Sequence, residues 1–359
     1  MYGAGGMRRH YRMLQSMPRG RNRKPIWSGH RDEELLDTRF SSLKLRLEDT
    51  PLQARIHQLY DELADRGLNF RPHCWLAEEW FSPDGIPGIA IPFYLAHPRL
   101  AKLEARQMFE VEGGNERWCM KLLRHEAGHA ITTAYQLHRR KRWKQIFGDY
   151  SRPYPSHYTP RPKSRRYVLH LEWWYAQSHP AEDFAETFAV WLKSRSKWRQ
   201  LYRDWPALRK LEYVDELMES IAGRPPLNRN RQQVEPISRI HKTLREHYRE
   251  KREHYGIEVP EVYDGELLRL FPQHHENGRR RSAAAYLKRI APELCRTCAR
   301  GTGEYPYVIA QLLQDMILRC REMDLKVTRP EDEVKTEVAI FITVQTINYL
   351  HRVHHKVPV

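Results

Sequence analysis

The chain is expected to fold as α+β, with a small sheet beside one long buried helix and a mainly helical C-terminal region. Three observations carry that expectation. Residues 118–134 repeat apolar side chains at spacings of three and four, the period of a helix with one packed face. Residues 85–95 alternate as a strand does. Beyond about residue 205 the apolar positions keep to the helical period. At 359 residues there is room for one large or two modest domains. We divide the chain into a basic segment 1–25, a core 26–204 and a helical region 205–359. Hydrophobic residues are 40% of the total, with 10 Trp and 19 Tyr, enough to build a real interior.

The first 25 residues hold Arg8, Arg9, Arg12, Arg19, Arg21, Arg23 and Lys24 and lack the apolar centre of a signal peptide. Thr50 and Pro51 then open a helix with Leu52, Ile56, Leu59 and Leu63 on one face, ending near Gly67. In the strand run, Ile89, Ile91 and Phe93 alternate with Ala90 and Pro92. Proline inside a strand favours a sheet edge. Ile89, Ala90 and Ile91 are therefore expected to offer an edge to which an extended substrate peptide can add. A purely structural strand is the other reading.

The long helix contains Leu123-Arg124-His125-Glu126-Ala127-Gly128-His129-Ala130, an H-E-x-x-H pattern. Residues four apart share a helical face, so His125 and His129 can offer two imidazole nitrogens to one metal ion. Glu126 can reach a metal-activated water as general base. Met120, Leu123, Ala127, Ala130, Ile131 and Ala134 form the packed face, while Trp118, Leu122, His125 and His129 lie on another. Gly128 lowers helix propensity by about 1 kcal/mol against alanine, which suits a place where another backbone passes close by. Two incidental histidines on a buried helix are the alternative.

Catalytic zinc takes three protein ligands and keeps one position open. Thr132 and Tyr135 stand where a metzincin continuation needs Gly and His, which excludes that class. The next candidate is residues 175–188. Ser178 and Pro180 suit a helix first turn, and Phe184, Phe188, Trp191 and Leu192 supply an apolar stripe. Glu182 and Glu186 share one face. Glu182 can ligate, and Glu186 can accept a hydrogen bond from a ligating histidine's other ring nitrogen. The reverse assignment, ligation by His170 or His179, and a solvated acidic face stay open at this point.

In the C-terminal region, Leu208, Leu211, Val214, Leu217 and Met218 mark one helix. Further helices are expected over 237–255, 286–298 and 307–323. A last one follows a Thr328/Glu331 capping box, with Ile340, Phe341, Val344, Ile347 and Leu350 as its apolar face.

The segments LRHEAGHA and YAQSHPAEDFAETFAVWL together resemble a family of zinc-binding metallopeptidases of gluzincin type. More distantly, Y-x6-E-x3-E after H-E-x-x-H is similar to the lethal-factor-like and Pro-Pro endopeptidase metalloproteases. The resemblance is strongest over about 70–200. It implies a zincin-like catalytic core holding one Zn2+ by His125, His129 and Glu182. It also implies Glu186 as supporting residue, Tyr175 as hydrogen-bond donor to the reacting carbonyl, and peptide-bond hydrolysis with Glu126 as general base. Many family members carry an N-terminal zinc ribbon. This chain has no paired C-x-x-C motifs before residue 70, so that ribbon's function does not carry over. No residue set for capturing a chain terminus is evident, which favours an endopeptidase.

The formal net charge is +16. The connection 139–166 carries ten basic residues and one acid, Asp149, and lies between the two halves of the site. That suggests an acidic substrate or a nucleic-acid partner. The competing functions are a nucleic-acid-associated protein with an auxiliary or structural zinc site, and a catalytically silent scaffold. A purely structural zinc needs neither Glu126 nor Tyr175. Five scattered cysteines make no disulfide framework, and the C-x-x-C of Cys295 and Cys298, with Cys320 beyond, lacks a second pair. The apolar run from Val338 to Val344 is too short to cross a bilayer. A cytoplasmic location and no membrane partner are expected.

Overall fold

The computed structural model describes residues 25–48, 50–155, 157–161, 163–255, 264–271, 281–353 and 357–358. The basic segment, apart from its last residue, lies outside the described residues. Helices dominate: α1 (Asp32–Leu36), α2 (Pro51–Asp65), α3 (Pro98–Gln107), α4 (Glu116–Tyr135), α5 (Lys141–Phe147), α6 (Pro180–Leu192), α7 (Trp198–Leu201), α8 (Leu208–Ile221), α9 (Leu244–Tyr255), α10 (Asp264–Leu270), α11 (Ala283–Thr302), α12 (Pro306–Glu322) and α13 (Glu331–Val353). A two-stranded parallel sheet pairs β1 (His73–Ala77) with β2 (Gly88–Pro92), in register from His73 opposite Gly88 to Ala77 opposite Pro92. A second pair, β3 (His157–Tyr158) with β4 (Val357–Pro358), is antiparallel.

Local chemistry explains the elements that frame the site. Pro51 opens α2, which buries Leu52, Ile56, Leu59 and Leu63 as the spacing requires. Asn115 caps α4 by accepting the Trp118 N–H at 2.9 Å. In α6 the cap is His179 rather than Ser178: its Nδ1 accepts the Ala181 N–H at 3.1 Å, with Pro180 as first helical residue. Ser178 instead donates to the Tyr175 carbonyl.

The sheet departs from expectation in one way that matters. Residues 78–87, which link the parallel strands, lie along the far edge of β2, where Phe81 bridges Ala90. The Ala90 N–H donates to the Phe81 carbonyl at 2.8 Å, and the Ser82 hydroxyl reaches the Gly88 carbonyl at 2.7 Å. Ile89, Ala90 and Ile91 are all fully buried. They offer no free edge to a peptide, because β1 covers one side and residues 81–82 the other. β1 went unforeseen because His73-Cys74-Trp75-Leu76-Ala77 does not alternate.

Among the described residues two large hydrophobic cores follow one another along the chain, beside a small third cluster of Trp75, Ala77 and Ala90. The first joins residues from Trp27 to Tyr248 and the second joins Leu267 to Ile342. The expected boundary at 204 falls inside the first core, since α8 buries Leu211, Val214, Leu217 and Met218 there. The expected helix 237–255 is interrupted. Residues 240–242 pair by backbone hydrogen bonds with Phe40 and Ser41, and α9 restarts from a Thr243/Glu246 capping box. In α13 the Glu331 carboxylate is held by Arg281 and Arg289 rather than turned back toward Thr328. Its buried face is Val334, Val338, Phe341 and Ile342, and Ile340, Val344 and Ile347 are exposed. Two apolar stripes compete on that helix, and the period alone does not choose between them. Leu350 lies outside the residues whose side chains are described. The five cysteines are all free. Among the described residues no helix is long and apolar enough to cross a membrane.

Candidate metal centre

The centre is built where α4 and α6 touch. Gly128 permits the contact, because a Cβ there would lie 2.7 Å from the Ala185 Cα. The other side of α4 is tied down by a buried, two-pronged ion pair from Arg124 to Glu62 of α2, at 2.6 and 2.7 Å. With α4 fixed on both sides, His125 and His129 face Glu182 across the helix contact.

Three ligand atoms converge. His125 Nε2 lies 3.0 Å from Glu182 Oε2, His129 Nε2 lies 3.2 Å from the same oxygen, and the two nitrogens are 3.1 Å apart. Hydrogen bonds alone do not account for this triangle. If both nitrogens carried protons toward the carboxylate, the two donors would face each other. A tetrahedral ion with bonds of about 2.0–2.1 Å holds its ligand atoms about 3.3 Å apart, close to what is seen. His125, His129 and Glu182 are also the group of His, Cys, Asp and Glu side chains among the described residues that could hold a metal ion. The donor set of two imidazoles and one carboxylate suits zinc.

Around the triangle, His125 and the two glutamates have their remaining polar atoms engaged. His125 Nδ1 donates to Glu186 Oε1 at 2.8 Å, and the Leu171 N–H donates to Glu186 Oε2 at 2.8 Å. This leaves His125 Nε2 free to turn inward. His179, one alternative ligand, has both ring nitrogens occupied, by the cap and by the Arg152 carbonyl at 2.7 Å. His170 points Nε2 at the Lys121 carbonyl, 3.0 Å away. Burial lowers its pKa to about 4, so the ring is neutral.

The charges respond to this packing. Burial would raise the carboxyl of Glu182, but His129 and His125 outweigh it and hold the group well below the usual range. Burial likewise works against a charged His125, yet Glu182 and Glu186 keep its pKa well above normal. Burial raises Glu126, partly offset by the two histidines. A carboxylate moved toward neutrality suits a proton acceptor.

The centre opens on a cleft of about 810 Å³ with His125, Glu126 and Tyr175 on its lining. The Tyr175 ring lies 5.8 Å from His125, centre to centre. Trp174, just before it, has a left-handed φ of 56°, a costly backbone for a bulky residue. The opposite wall comes from the second core, with Arg300 and Tyr305 at the α11–α12 connection. Of the described residues of the basic connection 139–166, only Tyr158 reaches the lining, so its arginines do not border the cleft. Carboxylates line it instead: Glu79, Glu110, Glu112 and Glu304 join Glu126, against Arg296 and Arg300. Burial, with repulsion from Glu79, raises Glu112 to about 8.

The comparison with known families agrees with the geometry. Residues 105–201 match the family model described as Putative zinc-binding metallo-peptidase. The matched segment contains both ligand-bearing helices and Tyr175. No curated protein and no solved structure matches the chain.

Sequence reasoning missed two contacts of the centre. The Tyr154 hydroxyl donates to Glu182 Oε1 at 2.7 Å. Ser82 reaches the Glu126 carbonyl at 3.1 Å as well as β2. Tyr154 sits in a proline-containing loop without periodicity, and nothing in the local pattern marks it.

Proposed function

We propose that the chain is a zinc-dependent metallopeptidase with a zincin-like core, in which His125, His129 and Glu182 hold one zinc ion. The observation that carries the reading is the convergence of these three ligand atoms beside Glu126, on a cleft, within a segment that matches a metallopeptidase family. Zinc bound there supplies a Lewis acid and brings the pKa of water to about 7. Glu126 takes a proton from the attacking water and returns it to the leaving amine. Tyr175 donates a hydrogen bond to the oxyanion that develops on the peptide carbonyl. Glu186, filled by His125 and Leu171, keeps the first ligand in its tautomer. We read the enzyme as an endopeptidase. Five carboxyl groups against two arginines on the cleft favour basic or neutral peptide segments over acidic ones, the more so above pH 8, where Glu112 is ionised.

The test pairs zinc content with cleavage of a peptide library. Glu126→Gln is expected to keep its zinc and lose about 10²–10⁴-fold in turnover. Equal cleavage by both proteins would overturn the general-base role. Glu182→Ala with wild-type zinc affinity would overturn the ligand set. Preferential cleavage of acidic peptides would overturn the substrate preference.

A further inference from the structure

Tyr154 belongs to the loop between α5 and β3. Its hydroxyl donates to Glu182 Oε1 at 2.7 Å, while Oε2 of the same carboxylate faces both histidines. The phenol ring is half exposed on one side. On the other it stacks on His179, with ring centres 3.9 Å apart and planes 19° from parallel. The His179 ring is itself immobilised, because Nδ1 caps α6 and Nε2 is bound to the Arg152 carbonyl. The hydroxyl is thus delivered to Glu182 from a platform anchored on the first turn of Glu182's own helix.

We propose that Tyr154 is a positioning residue for the metal centre, holding one oxygen of Glu182 so that the other stays directed at the two histidines. The proposal rests on the reading of Glu182 as a metal ligand. A carboxylate without this partner can rotate, and its other oxygen then loses its fixed place beside the two histidines.

The experiment measures zinc affinity by competition with a chromophoric chelator, for wild type, Tyr154→Phe, Glu182→Ala and the double variant. Phenylalanine keeps the ring on His179, and thermal unfolding of the metal-free proteins checks that the fold is retained. Tyr154→Phe is expected to weaken zinc binding by about 10-fold or more, with no further loss when Glu182 is already alanine. Unchanged affinity in Tyr154→Phe would overturn the proposal, as would equal losses in both backgrounds. Unchanged affinity with a fall in kcat would place the hydroxyl on the reacting peptide instead. Wild-type affinity in Glu182→Ala would overturn the ligand set itself, a failure distinct from that of Tyr154 alone.

Discussion

At Gly128 the ligand-bearing helices approach so closely that a methyl group would overlap the backbone of Ala185. Gly128→Ala should therefore destabilise by about 1–3 kcal/mol through overpacking, although alanine is the better helix former by about 1 kcal/mol. Urea denaturation measures the difference, and a stabilised variant would contradict the close contact. His170 makes a second prediction. Burial holds its folded pKa at about 4, below the ordinary imidazole value of 6.5. Between these values the unfolded chain binds more protons than the native one, so stability is complete above pH 6.5 and falls as pH drops toward 4. The shift corresponds to on the order of 3 kcal/mol. His170→Asn should flatten the slope of unfolding free energy against pH in that window, and an unchanged slope would count against a neutral buried ring. The residues that converge at the centre were legible because H-E-x-x-H and E-x3-E are helical spacings. Tyr154 and Ser82 at the centre, and Glu62 on the other side of α4, were not, because each comes from a separate stretch of chain across the tertiary fold.

Among the elements, α4 is held from two sides, by the close contact with α6 and by the Arg124 pair to α2. Breaking a buried pair leaves a charge without its partner, and Arg124→Ala should cost about 3–5 kcal/mol. The double change Arg124→Met with Glu62→Leu should cost much less, because both charges leave together. Chemical denaturation of the three proteins distinguishes this from a simple loss of packing, for which the double variant would be the worse. Helices with a single apolar stripe, such as α2, were readable from spacing. The face of α13 was not, since Ile340 and Val344 repeat at the same interval as the buried Val334 and Val338. The edge expected of β2 failed for a similar reason: Pro92 is compatible with an edge, but sequence spacing does not say that residues 81–82 fold back to cover it.

For the whole molecule, the two cores meet across the cleft, and each contributes a wall. Replacing Arg300 and Tyr305 by alanine should alter which library peptides are cleaved while leaving zinc content unchanged. A loss of zinc would mean instead that this wall supports the metal centre. Zinc at 100 times its dissociation constant should stabilise the protein by about 2.7 kcal/mol. A melting temperature unmoved by chelator would argue against a site formed by the native fold. The family-matched segment ends at residue 201 and so does not include the facing wall at the α11–α12 connection. The metal centre and this wall are thereby encoded by separable stretches of gene. Recombination that exchanged the distal stretch would change the wall of the cleft while the metal centre was inherited intact.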